Sequence, residues 1–316
     1  MIRKLSLGTL ALLPVLASAA PAEAQDFRLN RTVETLELGH PVFGLFTANF
    51  SLQNARGLAA SELDFIFIDM EHAPFDMETL RAFLLGMVNP RSIAEKGNPQ
   101  MDVTPLVRIP MNGRENLEFL VKQVLDMGAF GVVFPFIDTP QEALNAVRSM
   151  RYPQPRGSER FEPRGMRGSS PGNAAWFWGV GDYMARADLW PLAPRGDLLA
   201  VLQIESPLGV RNIQEIITTP GVGAIFIGPA DLALSYGLPG GHPEVEEGIQ
   251  TVLAACLQHN VPCGLTTNSS NVAERIAQGF SFVTIGYWND AGISPEPANA
   301  LAIGREAAGR AGGEDR

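Results

Sequence analysis

Several polar side chains stand at the ends of strongly apolar runs, where a charge without a partner or an ion is costly. Asp69, Glu71 and His72 close or follow the run 63–69 (LDFIFID). Arg108 falls near the end of 104–110 (TPLVRIP), Gln203 and Glu205 end 198–205 (LLAVLQIE), and Asp231 lies just past 222–228 (VGAIFIG). Glu205 and Asp231 close neighbouring runs, so two carboxylates would face one point about a strand spacing apart. Hard oxygen donors of this kind suit Mg²⁺ or Mn²⁺, with water and a chelating substrate completing an octahedron. His72 is placed to act as a base, and Arg108 to hold an oxyanion. Each residue also has a plainer use. Asp231 could cap a helix beginning at Leu232, Glu205 could pair with an arginine, His72 could be an ordinary loop histidine, and Arg108 could neutralise a nearby carboxylate. The weight lies with their shared position, because several strands ending in charge at one face is a costly arrangement for a structure that does not use it.

The elements that would position these residues are legible as a repeat. Four further runs, 41–49 (PVFGLFTAN), 130–138 (FGVVFPFID), 261–267 (VPCGLTT) and 280–286 (FSFVTIG), bring the number of apolar runs to eight. They are near-continuous rather than alternating, as parallel strands covered on both faces require. Helical stripes lie between them: Leu80, Phe83, Leu84, Met87 and Val88; Leu117, Leu120, Val121 and Val124; Val245, Ile249, Val252, Leu253 and Cys256. Pro140 behind Thr139 and Pro207 behind Ser206 read as first-turn prolines after N-caps. Eight such units in roughly 290 residues predict one (β/α)8 TIM barrel, with its chemistry at the carboxyl ends of the strands. An open doubly wound sheet is the runner-up, but the glycine-rich phosphate loop it would want after the first strand is missing. Two stretches, 89–103 and 152–196, break the rhythm and are expected to be long loops at the site rim or a subunit contact. The second contains Gly168-Ser169-Ser170-Pro171-Gly172, a G-x-S-x-G match without the apolar strand that a nucleophile elbow needs.

Composition narrows the partners. The 316 residues are 46% hydrophobic and 18% charged, with 24 basic against 34 acidic side chains and a net charge of -10. That balance repels phosphate backbones and anionic lipid surfaces, which argues against nucleic acid and against a membrane as partners. Arg3 and Lys4, the apolar stretch from Leu5 to Ala17, and the small-residue sites Ala17-Ser18-Ala19 and Ala22-Glu23-Ala24 have the layout of a secretory signal peptide. Residues 1–24 are therefore expected to direct export to the periplasm or medium, leaving 25–316 as one domain. Cys256 and Cys263, both in apolar surroundings, are open to two readings: buried thiols or, outside the cytosol, a disulfide.

From about Gly44 to Gly286 the chain resembles the HpcH/HpaI aldolase and citrate lyase family, the metal-dependent class II pyruvate aldolases. The resemblance is carried by IDMEHAP (68–74), LVRIP (106–110), VLDMGAFGVVFP (124–135), RYP (151–153), GMRG (165–168), QIES (203–206) and IFIGPADLA (225–233). It implies a barrel, a trimer of dimers in which the final helix swaps between subunits, and a divalent cation that chelates pyruvate. Mg²⁺ or Mn²⁺ is the first expectation, with Co²⁺ and Zn²⁺ as alternatives. By the same resemblance Glu205 and Asp231 are metal ligands, Gln203 lies beside the metal, and Gly228, Pro229 and Ala230 form the turn that receives a substrate carboxylate. Arg108 faces the keto oxygen, and His72 is a base oriented by a carboxylate assigned to Asp126. The implied reaction is reversible aldol cleavage of a 4-hydroxy-2-oxo acid to pyruvate and an aldehyde. The small-molecule partners are thus a 2-oxo acid and an aldehyde.

Three features depart from the family pattern: the insertion after RYP, the long link 89–103, and export. Arg156, Arg160, Arg164 and Arg167 could recruit an anionic substrate or serve as surface charge, and Trp176, Phe177 and Trp178 could line an aldehyde pocket or pack the loop. The alternatives carried forward are an oxaloacetate decarboxylase or citrate-lyase-like enzyme on the same scaffold, and an exported 2-oxo acid binding protein without turnover. A coenzyme A variant lacks an evident phosphate site.

Overall fold

The computed structural model describes residues 27–110, 118–288 and 293–310; the expected signal segment 1–24 lies outside them. Each apolar run becomes a strand: β1 (Val42–Thr47), β2 (Phe65–Asp69), β3 (Thr104–Arg108), β4 (Gly131–Phe134), β6 (Leu198–Ile204), β7 (Ala224–Ile227), β8 (Cys263–Leu265) and β9 (Phe282–Trp288), with a two-residue β5 (Leu189–Trp190) paired outside β6. Every residue of β1 to β4 and β6 to β8 is buried, which is why these segments read as unbroken apolar runs.

All pairings are parallel, in the order β8-β7-β6-β4-β3-β2-β1-β9. The sheet closes through a bridge between Thr266 and Thr284, with Ser281 N–H donating to the Cys263 carbonyl at 2.9 Å. The result is the expected eight-stranded (β/α)8 barrel. Its interior is filled by rings: Phe65 stacks on Phe282 at 4.4 Å, and Phe67 meets Phe226 edge-on at 5.3 Å.

Helix starts follow the sequence signals. Thr139 and Glu142 form a capping box around Pro140, and the Ser206 hydroxyl accepts from Gly209 N–H behind Pro207. The final helix, Pro295–Ala307, packs on its own barrel. Gly304 lies against Phe43, and beyond the helix Arg310 forks onto both oxygens of Asp64 at 2.9 Å. Cys256 and Cys263 are buried free thiols. Among the described residues no helix is long and apolar enough to cross a membrane.

The two stretches expected as loops are partly helical. Residues 89–103 contain a helix, Pro90–Lys96, started by Asn89 and ended by Gly97 at φ 71°; 152–196 contain the helices Gly172–Trp178 and Tyr183–Arg186 and the strand β5. Both stretches lead from a helix into a strand, so they sit at the amino ends of the strands. They do not rim the face where barrel chemistry takes place.

Candidate active site

The carboxyl ends of β2 and β3 lie side by side in register, Asp69 opposite Arg108. Arg108 donates from Nε to Asp69 Oδ1 at 3.0 Å and from Nη2 to Oδ2 at 2.7 Å, a bidentate fork in which both residues are buried. Its Nη1 lies 3.0 Å from Glu71 Oε2, and its guanidinium carbon sits 4.6 Å from the centroid of the Phe46 ring. Asp69 Oδ1 also accepts from the amides of Glu71, at 3.1 Å, and His72, at 3.4 Å. The carboxylate that ends β2 thus shapes the turn from which His72 projects. Burial alone would raise the Asp69 pKa, but the Arg108 hydrogen bonds and charge, with the hydroxyl of Tyr287, outweigh it and hold Asp69 below the ordinary aspartate value. Glu71 goes the other way: burial raises it despite Arg108 and His72. The His72 side chain is 60% exposed, with Nε2 3.6 Å from Glu71 Oε2.

Across the barrel mouth, Glu205 follows β6 and is buried. Its Oε1 accepts from Gln203 Nε2 at 3.0 Å and its Oε2 from the Phe136 amide at 3.1 Å. Phe136 adopts φ 52°, a left-handed conformation rare outside glycine, at the residue whose amide reaches this carboxylate. Burial, with the nearby carboxylates of Asp231 and Glu71 adding to it, pushes Glu205 up to about 8. The helix Pro229–Tyr236 begins at Pro229, not at Leu232, with Gly228 as its N-cap and no capping side chain. Asp231 is therefore a first-turn residue, and its carboxylate is free of the capping role that was its plainer reading.

These groups surround one cavity of about 400 Å³. Its polar lining includes His72, Arg108, Gln203, Glu205 and Asp231. Gly228, Pro229 and Ala230 line it too, as do Phe46, Phe226, Thr266 and Tyr287. A divalent cation suits this donor set. Gln203 Oε1 is buried and makes no hydrogen bond, and Glu205 is a buried carboxylate facing other carboxylates, so a positive ion would meet an electron-rich, undersatisfied corner. Among the described residues no group of three or more His, Cys, Asp or Glu side chains is placed to hold a metal ion.

One assigned residue does not join the site. Asp126 lies in the last turn of the helix Glu118–Met127, which leads into β4 at the amino ends of the strands. There it pairs with buried Arg167 at 2.8 Å. The carboxylate that orders the His72 turn is Asp69, three residues upstream of it. The arginine- and tryptophan-rich stretch is likewise remote from the cavity. Trp178 is buried, stacked on Phe130 at 4.4 Å and donating to the Gly128 carbonyl at 2.8 Å, so it packs the opposite face and does not line an aldehyde pocket. Tyr287, Phe46 and Thr266 were not singled out by the sequence; Tyr287 reaches the site only because of a register shift in β9.

The comparisons with known proteins agree with this geometry. The sequence pattern of the HpcH/HpaI aldolase/citrate lyase family matches residues 42–295. The chain is 34% identical over 263 residues to a 5-keto-4-deoxy-D-glucarate aldolase of Salmonella arizonae, covering 82% of this chain and 90% of that one. The aldolase of the same name from Salmonella paratyphi A is also 34% identical, over 77% of this chain and 84% of its own length. Among solved structures, an HpcH/HpaI aldolase/citrate lyase family protein from Burkholderia cenocepacia superposes with a TM-score of 0.69 at 33% identity, covering 82% of this chain and 93% of that one. With its sheet order, its strand-end residues and its relatives in accord, the chain belongs to the HpcH/HpaI aldolase/citrate lyase family and is a carbon–carbon lyase of the aldolase kind.

Proposed function

We propose that this lyase cleaves a 4-hydroxy-2-oxo acid to pyruvate and an aldehyde, reversibly, with a divalent cation held by Glu205 and Asp231. The observation that carries the reading is the convergence of two carboxylates, a clamped arginine and an exposed histidine on one cavity at the carboxyl ends of the strands. When bound, the cation supplies Lewis-acid stabilisation of the negative charge that develops on the 2-oxo group. Mg²⁺ or Mn²⁺ fits the oxygen donors, while Co²⁺ and Zn²⁺ compete by supply.

The chain's own residues divide the remaining work. The uncapped first-turn amides of Ala230 and Asp231, at a helix N-terminus, receive the substrate carboxylate. Arg108, fixed by Asp69, faces the keto oxygen. His72, through water, takes the proton of the C4 hydroxyl. The C3–C4 bond then breaks, the aldehyde leaves, and the electron pair remains on C3 as an enolate whose oxygen is stabilised by Arg108. Protonation of C3 gives the methyl group of pyruvate, and the reverse sequence makes the bond.

The relatives named as 5-keto-4-deoxy-D-glucarate aldolases make that acid the first substrate to try. Pyruvate release, followed with lactate dehydrogenase and NADH, is expected with Mg²⁺ or Mn²⁺ and is lost on chelation. No pyruvate from any 4-hydroxy-2-oxo acid, together with decarboxylation of oxaloacetate, would replace the aldolase by a decarboxylase. Export and assembly complete the reading. Residues 1–24 are removed on passage to the periplasm or medium, and the mature chain forms a trimer of dimers. N-terminal sequencing of the secreted protein and light scattering test these two points; a retained Met1 or a monomer contradicts them.

A further inference from the structure

We propose that Tyr287 is a positioning residue for this reaction, locking Asp69 and, through Asp69, both Arg108 and the turn that bears His72. The inference rests on the aldolase reading above. It starts from the register of the last strand: Gly44 of β1 pairs with Thr284 of β9, but Phe46 pairs with Tyr287, so one residue of β1 opposes two of β9 between these pairs. This is a β-bulge, a device that re-aims side chains beside functional sites. Without the extra residue Phe46 would face Gly286, and alternation along the strand would turn Tyr287 away from the cavity. Gly286 carries the distortion at φ 143°, a conformation that favours glycine.

The re-aimed side chain closes a ring of contacts over four adjacent strands. The Tyr287 ring stacks on Phe46 at 6.0 Å with 13° between planes, and its hydroxyl donates to Asp69 Oδ2 at 2.7 Å. Arg108 makes the same two contacts from the other side: its guanidinium lies over Phe46, and its Nη2 donates to the same Oδ2 at 2.7 Å. Tyr287 thus ties β9 to β2 across β1, just as Arg108 ties β3 to β2. Tyr287 is 44% exposed at the mouth of the cavity. Burial, and then the Asp69 carboxylate, raise its phenol pKa, which favours the protonated, donating hydroxyl.

The test compares wild type, Tyr287→Phe, Asp69→Asn and the double variant, each as the full metal-loaded protein. The readouts are steady-state pyruvate formation, exchange of the methyl protons of pyruvate in heavy water, and thermal unfolding. Phenylalanine keeps the stack and removes the hydroxyl. Its kcat and its exchange rate are expected to fall about tenfold with KM changed less than about twofold, because the lost hydrogen bond acts on the placement of charge in the transition state. In the Asp69→Asn background the same change is expected to cost less than about twofold. A Tyr287→Phe enzyme with wild-type rates, or an equal tenfold loss in both backgrounds, overturns the proposal while the aldolase stands. A wild type that neither forms pyruvate nor exchanges its protons overturns the reaction and the proposal together.

Discussion

A β-carbon on Gly228 would lie 2.1 Å from Oε1 of Glu205 and 3.0 Å from its Cδ and Cγ. The cap of one helix and the carboxylate at the end of the neighbouring strand therefore occupy adjoining space that only glycine leaves open. Glu205 has little freedom to retreat, since its two oxygens are held by Gln203 and by the Phe136 amide.

Gly228→Ala is accordingly expected to weaken cation binding while leaving the barrel folded. Calorimetric titration with Mn²⁺ should show affinity reduced at least about tenfold, as disturbed ligand placement does elsewhere, with an unchanged far-ultraviolet spectrum. Wild-type affinity in the variant would show that Glu205 does not need this space.

Arg108→Lys separates charge from geometry. Lysine retains the positive charge but loses the fork onto Asp69 and the flat contact with Phe46, so kcat should fall about 100-fold. Steady-state kinetics with a cleaved substrate decide it. A kcat within about threefold of wild type would mean that charge alone suffices.

The Asp69–Arg108 pair also fixes a pH dependence. The folded pKa of Asp69 lies below its unfolded value, so its ionised form is the one the fold favours. That contribution is complete above the unfolded value, about 3.9, and is lost as the pH falls through the lower folded value. The melting temperature of wild type should exceed that of Asp69→Asn by a constant margin from pH 5 to 8, and the margin should shrink only in stronger acid. A margin that shrinks as the pH rises through that window would reverse the sign of the linkage.

Asp126→Ala tests the reassignment of the carboxylate that serves His72. Asp126 neutralises buried Arg167 at the amino ends of the strands, so its removal should destabilise the protein by about 3 kcal/mol, seen as a lower urea midpoint. Turnover of the folded variant should stay within about threefold of wild type. A collapse of turnover with stability intact would return Asp126 to the chemistry.

How much of this was legible in the sequence depends on what each segment buries. The eight barrel strands were, because strands covered on both faces must be apolar throughout. The helix Pro90–Lys96 was not, because none of its residues is buried and no apolar period marks it; only Asn89, Pro90 and Gly97 signalled its ends. Glu205, Asp231, Arg108 and His72 were found as charges ending apolar runs, and the structure gathers all four around one cavity. Asp126 lies at the amino ends of the strands, away from this cavity, a placement the sequence does not reveal until the connection from its helix into β4 is followed. Tyr287 was hidden by its bulge, since a strict alternation along β9 turns it outward.

The central claim, enolate chemistry on a 2-oxo acid at the Glu205–Asp231 corner, can be tested without knowing the aldehyde. The measurement is exchange of the methyl protons of pyruvate in heavy water, followed by NMR with Mg²⁺ or Mn²⁺, with and without chelator, for wild type and Glu205→Ala. The account predicts cation-dependent exchange that chelation stops and Glu205→Ala abolishes. Exchange indifferent to chelation and to Glu205, or no exchange with either ion, would contradict it.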